Sequence, residues 1–159
     1  MSNEPDIALG FYYEFEHGVD DKRRVQTHMR WKANLNAPHY VLVLWPHFDL
    51  GCQYILVLPP EKHAELLSEL QQVSVGDTRG MSLKRIIGRT TESVTMDGSR
   101  RFMLPKGMTD AAGITDKAVL LGAVDTFEIW SPERYQDLMK YEQLHAKELY
   151  GSFSKPVAT

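Results

Sequence analysis

Along the chain the apolar positions switch between alternation, short continuous runs and helical spacing, and proline, glycine or charge marks each switch. Phe11 to His17 is aromatic-rich and partly alternating, which predicts a strand. Val25 to Lys32 fits neither period well and reads as a strand running into a short helix. Tyr40 to Trp45 is a β-branched and aliphatic strand that Pro46 should stop, and Tyr54 to Leu58 pairs back across a His47–Gly51 loop. Pro60 stands near a first helical position, and Leu66, Leu67 and Leu70 give that helix one apolar face.

In the second part of the chain, Arg79 to Arg89 is a short amphipathic helix that Gly88 should end. Thr90 to Met96 is extended, Phe102 to Pro105 is a strand end, and Thr109 to Ile114 is a short helix with a glycine stop. Ala118 to Leu121 and Phe127 to Trp130 are strands joined by a bend at Val124–Thr126. Pro132 opens a helix expected to run to about Tyr150 and to end at Gly151. Residues 1–10 read as an arm and 151–159 as a tail.

Within this pattern one five-residue element occurs twice. Asp20-Asp21-Lys22-Arg23-Arg24 returns seventy-seven positions later as Asp97-Gly98-Ser99-Arg100-Arg101, both of the form Asp-x-x-Arg-Arg. Each lies between extended segments, so each is a turn, in which the Asp carboxylate can accept hydrogen bonds from the following backbone N–H groups. The succession after each turn also repeats: a strand, then Pro60-Glu61 in one case and Pro132-Glu133 in the other, opening a helix. Forty residues separate Asp20 from Pro60 and thirty-five separate Asp97 from Pro132, so one five-residue insertion near Trp45–Gly51 reconciles them. Order, spacing and capping chemistry together predict two matched halves, residues 11–78 and 79–150.

Composition narrows the class. With 159 residues, 43% hydrophobic and 25% charged, the chain can build one well-cored domain or two packed half-domains. No apolar run approaches the ~20 residues of a membrane span. The acidic beginning, Met1 to Asp6, has no apolar signal core, and the single Cys52 has no internal disulfide partner. The expected setting is reducing and cytoplasmic.

Charge alters the picture more than composition does. The net charge is −3, yet five basic residues (Lys22, Arg23, Arg24, Arg30, Lys32) face two acids between Asp20 and Lys32. Around the second turn Arg100, Arg101 and Lys106 oppose only Asp97, while acids gather on the helices at Glu61, Glu65, Glu69, Glu133, Asp137, Glu142 and Glu148. The turns are basic and the helices acidic.

Candidate chemistry is otherwise sparse. The histidines (17, 28, 39, 47, 63 and 145) are scattered with no i, i+4 pair, and nucleotide-binding and nucleophile-elbow motifs are missing, so neither metal, cofactor nor enzyme is expected. Two readings of the arginine pairs stand at this level. Arg24 to Asp20 and Arg101 to Asp97 can be salt bridges that pin a hairpin. Alternatively, paired guanidinium groups suit phosphate contact and bidentate reading of guanine.

These motifs, together with Met96-Asp97-Gly98, Leu104-Pro105, Ala112-Gly113-Ile114, Leu120-Leu121-Gly122, Phe127-Glu128-Ile129-Trp130 and the Pro-Glu helix starts, resemble the MraZ family over roughly residues 11–150. MraZ proteins are bacterial regulators of the division and cell-wall gene cluster, of the SpoVT-AbrB class, with two D-x-x-x-R motifs, most often D-x-K-G-R. The resemblance implies an α+β fold in which two tandem SpoVT-AbrB-like half-domains form a swapped-hairpin β-barrel with flanking helices. It implies a homo-oligomeric ring, octameric or larger, in the cytoplasm and associated with the nucleoid. It also implies sequence-specific binding of double-stranded DNA at short promoter repeats. On this likeness Lys22, Arg24 and Arg101 match DNA contacts, and Asp20 and Asp97 match turn-fixing acids. Arg23 and Arg100 stand where the family usually has glycine, and both join the expected DNA-binding set. A left-handed backbone there would cost an arginine ~1 kcal/mol. A ring-forming structural protein of the same fold that has lost DNA binding, or a ligand-binding barrel or hydrolase, are the alternative readings.

Overall fold

The first basic turn lies between β1 (Glu14–Gly18) and β2 (Arg24–Gln26), and the second between β5 (Thr91–Thr95) and β6 (Arg101–Met103), in a computed structural model that describes residues 10–153. After β2 comes a one-turn 3-10 helix, Met29–Trp31, then the hairpin β3 (His39–His47) and β4 (Cys52–Leu58), then helices α1 (Pro60–Gln71) and α2 (Thr78–Arg89). After β6 the same succession returns: α3 (Lys106–Ala112), the hairpin β7 (Lys117–Gly122) and β8 (Phe127–Trp130), then α4 (Pro132–Leu144) and α5 (Ala146–Phe153).

Six strands form one sheet in the order β1-β7-β8-β4-β3-β5, and β2 pairs with β6 in a separate two-stranded ribbon. Exchanging each strand for its counterpart four places on in the numbering reverses the sheet order onto itself. The sheet therefore carries an approximate two-fold between β8 and β4. The halves interleave, since β1 pairs antiparallel with β7 and β5 with β3. The fold is mixed α+β. The strand pairing shows a six-stranded sheet ending at β1 and β5 and a separate β2–β6 ribbon, which meets β1 at the Val19–Val25 bridge, and no closed barrel among the described residues.

The core lies where the halves meet. Phe11, Val25, Trp31, Tyr40, Leu42, Phe102, Leu104, Phe127 and Ile129 belong to one buried cluster. Trp31 and Phe127 rings lie 4.9 Å apart, and Phe102 and Phe127 stack at 6.2 Å. Such pairs add to the burial of their surface through edge and offset contacts. Side chains at the helix starts close the ends: Ser131 Oγ accepts from Arg134 N–H at 3.2 Å, and Asp77 Oδ1 accepts from Gly80 N–H at 3.0 Å. Arg134 then donates through Nη1 to Ala111 O and Gln53 O, tying α4 to α3 and β4.

Several expected boundaries move, and α3 begins at Lys106 rather than at the expected Thr109. β3 continues through Pro46, which pairs with Gln53. Leu44 N–H points to Thr90 O, so the alternate position Pro46 also faces the β5 side, where that strand has not yet begun and no ladder bond is lost. Gly88 lies inside α2, whose cap is Thr90. The last helix is two: α4 ends at Leu144, His145 leaves helical geometry at φ −102°, and α5 passes through Gly151 to Phe153. The expected arm lies outside the described residues apart from Gly10, and the expected tail does so beyond Phe153.

Candidate nucleic-acid interface

Asp20 holds the first turn by its carboxylate. Oδ1 accepts from the N–H groups of Lys22 (3.0 Å) and Arg24 (2.8 Å), and Oδ2 accepts from Arg24 Nε (2.7 Å). Asp97 repeats the pattern with Ser99 N–H (2.8 Å), Arg101 N–H (3.0 Å) and Arg101 Nε (2.9 Å). The backbone N–H of Arg24, or of Arg101, is the foremost cause holding each carboxyl below its ordinary value. Asp20 is half-buried and Asp97 exposed, and the guanidinium at each adds a smaller push in the same direction.

In each turn the first arginine of the pair closes the loop. Arg23 N–H donates to Asp20 O at 2.9 Å and Arg100 N–H to Asp97 O at 3.0 Å, and both residues take φ 60°. Left-handed backbone is the geometry that glycine adopts freely and an L side chain resists.

The two turns are joined to one another. β2 and β6 pair Arg24 with Met103, Val25 with Phe102 and Gln26 with Arg101. Beyond these, Leu104 N–H donates to Arg23 O (2.8 Å) and Thr27 N–H to Arg100 O (2.9 Å). Each turn is thereby sewn to the strand of the other half. Arg23 N–H is committed to its own turn, and Leu104 O instead accepts from the Arg23 side chain, Nε at 3.1 Å. At the equivalent place Arg100 Nε is enclosed with no partner among the described residues. Thr27, in the position equivalent to Leu104, spends its hydroxyl on Arg100 O at 3.2 Å.

The structure thus brings Asp20, Lys22, Arg23 and Arg24 together with Asp97, Arg100 and Arg101 on one ribbon. Both salt bridges exist, Arg24–Asp20 and Arg101–Asp97, each through Nε alone. The terminal Nη groups of both arginines have no protein partner among the described residues, so pinning and presentation are compatible. Gln26, Thr27 and Met103 are ribbon residues that the turn motif did not single out. The seventy-seven-residue offset places Gln26 and Met103 at one equivalent position, and that offset was the signal available.

Away from the ribbon, His47, Asp49, Tyr54, Glu128, Tyr141 and Glu142 line one cleft, in which burial is the foremost cause raising Tyr54, Glu128 and Glu142. His17 and His28 rings lie 6.1 Å apart, with burial the foremost cause and His28 the second in lowering the His17 pKa. Burial likewise pushes the Cys52 thiol up. Among the described residues no group of three His, Cys, Asp or Glu is placed to hold a metal, and no helix is long and apolar enough to cross a membrane.

An α+β protein whose sheet order maps onto itself, with two Asp-pinned arginine turns on one ribbon, is the class these features define. Residues 87–149 match the family model described as "MraZ protein, putative antitoxin-like". A protein of Herpetosiphon aurantiacus named Transcriptional regulator MraZ is 30% identical over 129 residues, covering 81% of this chain and 86% of that one. A Roseiflexus sp. protein of the same name is 27% identical over the same shares, and a Shewanella amazonensis one is 26% identical over 144 residues, 86% and 93%. The chain belongs to the MraZ family.

Proposed function

We propose that this chain is a non-enzymatic transcriptional regulator that binds double-stranded DNA sequence-specifically at short promoter repeats upstream of division and cell-wall genes. The observation that carries this reading is the joining of the two turns across the β2–β6 ribbon, which presents two guanidinium groups with free Nη ends in fixed relation. Arg24 and Arg101 read guanine edges, while Lys22, Arg23 and Arg100 flank them at phosphates. Asp20 and Asp97 act as positioning residues. Two SpoVT-AbrB-like half-domains, expected at residues 11–78 and 79–150, fit the repeated succession with α2 counted in the first, and their interleaved strands are what a swapped-hairpin origin produces. Such a protein works in the cytoplasm, at the nucleoid.

The net charge of −3 makes a lone subunit a weak DNA ligand, since each neutralised phosphate contributes a modest, salt-sensitive increment. A homo-oligomeric ring, an octamer or larger, multiplies the turns on one face and raises effective concentration. Leu144, Tyr150 and Phe153 on α4 and α5 are exposed and supply apolar surface for such contacts.

Electrophoretic mobility with the chain's own upstream DNA, against a scrambled duplex and across a salt series, is the test. Retarded migration that favours the upstream fragment and weakens with salt is expected. Equal or absent binding to both duplexes overturns the reading in favour of a ring-forming protein without an operator. Sedimentation showing only monomer at micromolar concentration overturns the ring.

A further inference from the structure

Side chains on an antiparallel ribbon alternate between its faces, so the buried pair Val25–Phe102 sends the two flanking pairs to the opposite face. That face carries Arg24 beside Met103 and Gln26 beside Arg101. The bonds from Leu104 to Arg23 and from Thr27 to Arg100 make both of these non-hydrogen-bonded pairs, the kind whose side chains approach most closely. Met103 is 54% exposed although it is apolar and sits in a strand. Gln26 donates Nε2 to Ser99 O at 2.9 Å, which holds its carboxamide against the second turn and leaves the amide oxygen and the second N–H without a protein partner among the described residues. Thus a four-residue surface, arginine at two diagonal corners and a neutral side chain at the other two, spans about 7 Å along the ribbon.

We propose that this outward face enters the major groove as a two-stranded reading head, in which Gln26 and Met103 are specificity-determining residues. This rests on the DNA-binding role proposed above and adds the bases read. The major groove admits a two-stranded ribbon, and ~7 Å corresponds to about two base steps of 3.4 Å. The approximate two-fold relates Arg24 to Arg101 and Met103 to Gln26, so the two half-steps share a guanine contact and differ beside it. A carboxamide with one oxygen and one N–H free matches adenine N6 and N7, whereas an exposed thioether offers only apolar contact, which suits the thymine methyl. The recognised sequence is therefore a two-fold arrangement broken at one base pair: adenine beside one guanine, thymine beside the other. Charge complementarity selects DNA as the occupant, because arginines flank every apolar or neutral group on the face.

Selection from a randomised duplex library distinguishes the outcomes, run with the full chain and with Gln26→Met and Met103→Gln. The parent is expected to enrich a site with unlike base pairs beside its two guanines. Gln26→Met, which makes the two half-steps alike, should move the adenine position towards thymine, with the A·T to T·A preference changing about tenfold or more. Met103→Gln should make the reciprocal change at the other half-step. Both positions are exposed, and thermal unfolding verifies that each variant is folded. Unchanged base preferences in both folded variants overturn the reading head while leaving DNA binding intact. No enrichment by the parent overturns the DNA-binding role itself, and with it this inference.

Discussion

Arg23 and Arg100, seventy-seven positions apart, share the same left-handed backbone at φ 60°, but only Arg23 has a partner for its Nε, the carbonyl of Leu104 at 3.1 Å. The strain is common to both, and the compensation is not. Arg100→Gly removes strain and an unsatisfied buried N–H together, so a gain of up to about 1 kcal/mol is expected. Arg23→Gly removes similar strain but also a hydrogen bond that offsets it, so stability should stay about level. Denaturant midpoints of the two variants check this. Equal shifts at both positions would show that the Leu104 contact contributes nothing.

Phe102 and Met103 are consecutive on β6 and experience opposite surroundings. Phe102 is fully buried, 5.6 Å from the Tyr40 ring, whereas Met103 is more than half exposed. Phe102→Ala should cost about 3 to 5 kcal/mol by loss of buried surface and the cavity left behind. Met103→Ala should cost under about 0.5 kcal/mol. Chemical unfolding of the pair measures whether the ribbon's inner face is the one packed on the core.

The basic turns and the helix starts at Pro60 and Pro132 were legible because they rest on local chemistry that each short stretch carries in itself. The left-handed φ of Arg23 and Arg100 was legible as a cost, since a glycine position does not change geometry when its residue changes. What stayed hidden depends on pairing. Pro46 is tolerated inside β3 only because β5 has not begun beside it, and no window of sequence around Pro46 contains that fact. The exchange of β1 and β5 between halves, the open sheet and the pairing of β2 with β6 are likewise long-range relations. The candidate arginines were singled out by motif, but Gln26 and Met103 gain meaning only from the register that sets them beside Arg101 and Arg24.

Acid should loosen both turns. Asp20 and Asp97 have folded pKa values below the ordinary aspartate value of 3.8, led by the N–H bonds from Arg24 and Arg101. A depressed folded value means that the stabilisation is complete above the unfolded pKa and is lost as pH falls through the folded one. The affected window lies below about pH 4. Asp20→Asn with Asp97→Asn should lower stability at pH 7 and remove that part of the acid limb. A double variant whose stability profile overlays the parent's would show that the carboxylates are not what fixes the turns.

Glu128 presents the opposite sign. It lies on β8 between buried Phe127 and Ile129, and burial is the foremost cause raising its carboxyl above the ordinary value of 4.5, opposed by a hydrogen bond from Trp130 Nε1 at 2.8 Å. Glu142 adds a smaller upward push through like charge, and its own carboxyl is raised chiefly by burial. No ion pair reaches either group among the described residues. Because the folded state binds this proton more tightly than the unfolded chain does, stability should fall as pH rises from 4.5 through the folded pKa, and the full penalty should persist above it. Glu128→Gln keeps an oxygen to accept from Trp130 and removes the charge. The variant should therefore be more stable than the parent at pH 7 and closer to it at pH 4.5, as measured by denaturant midpoints at the two values. A variant less stable than the parent at pH 7 would mean that the ionised carboxylate is itself favourable at this site, through a partner that the isolated subunit does not supply.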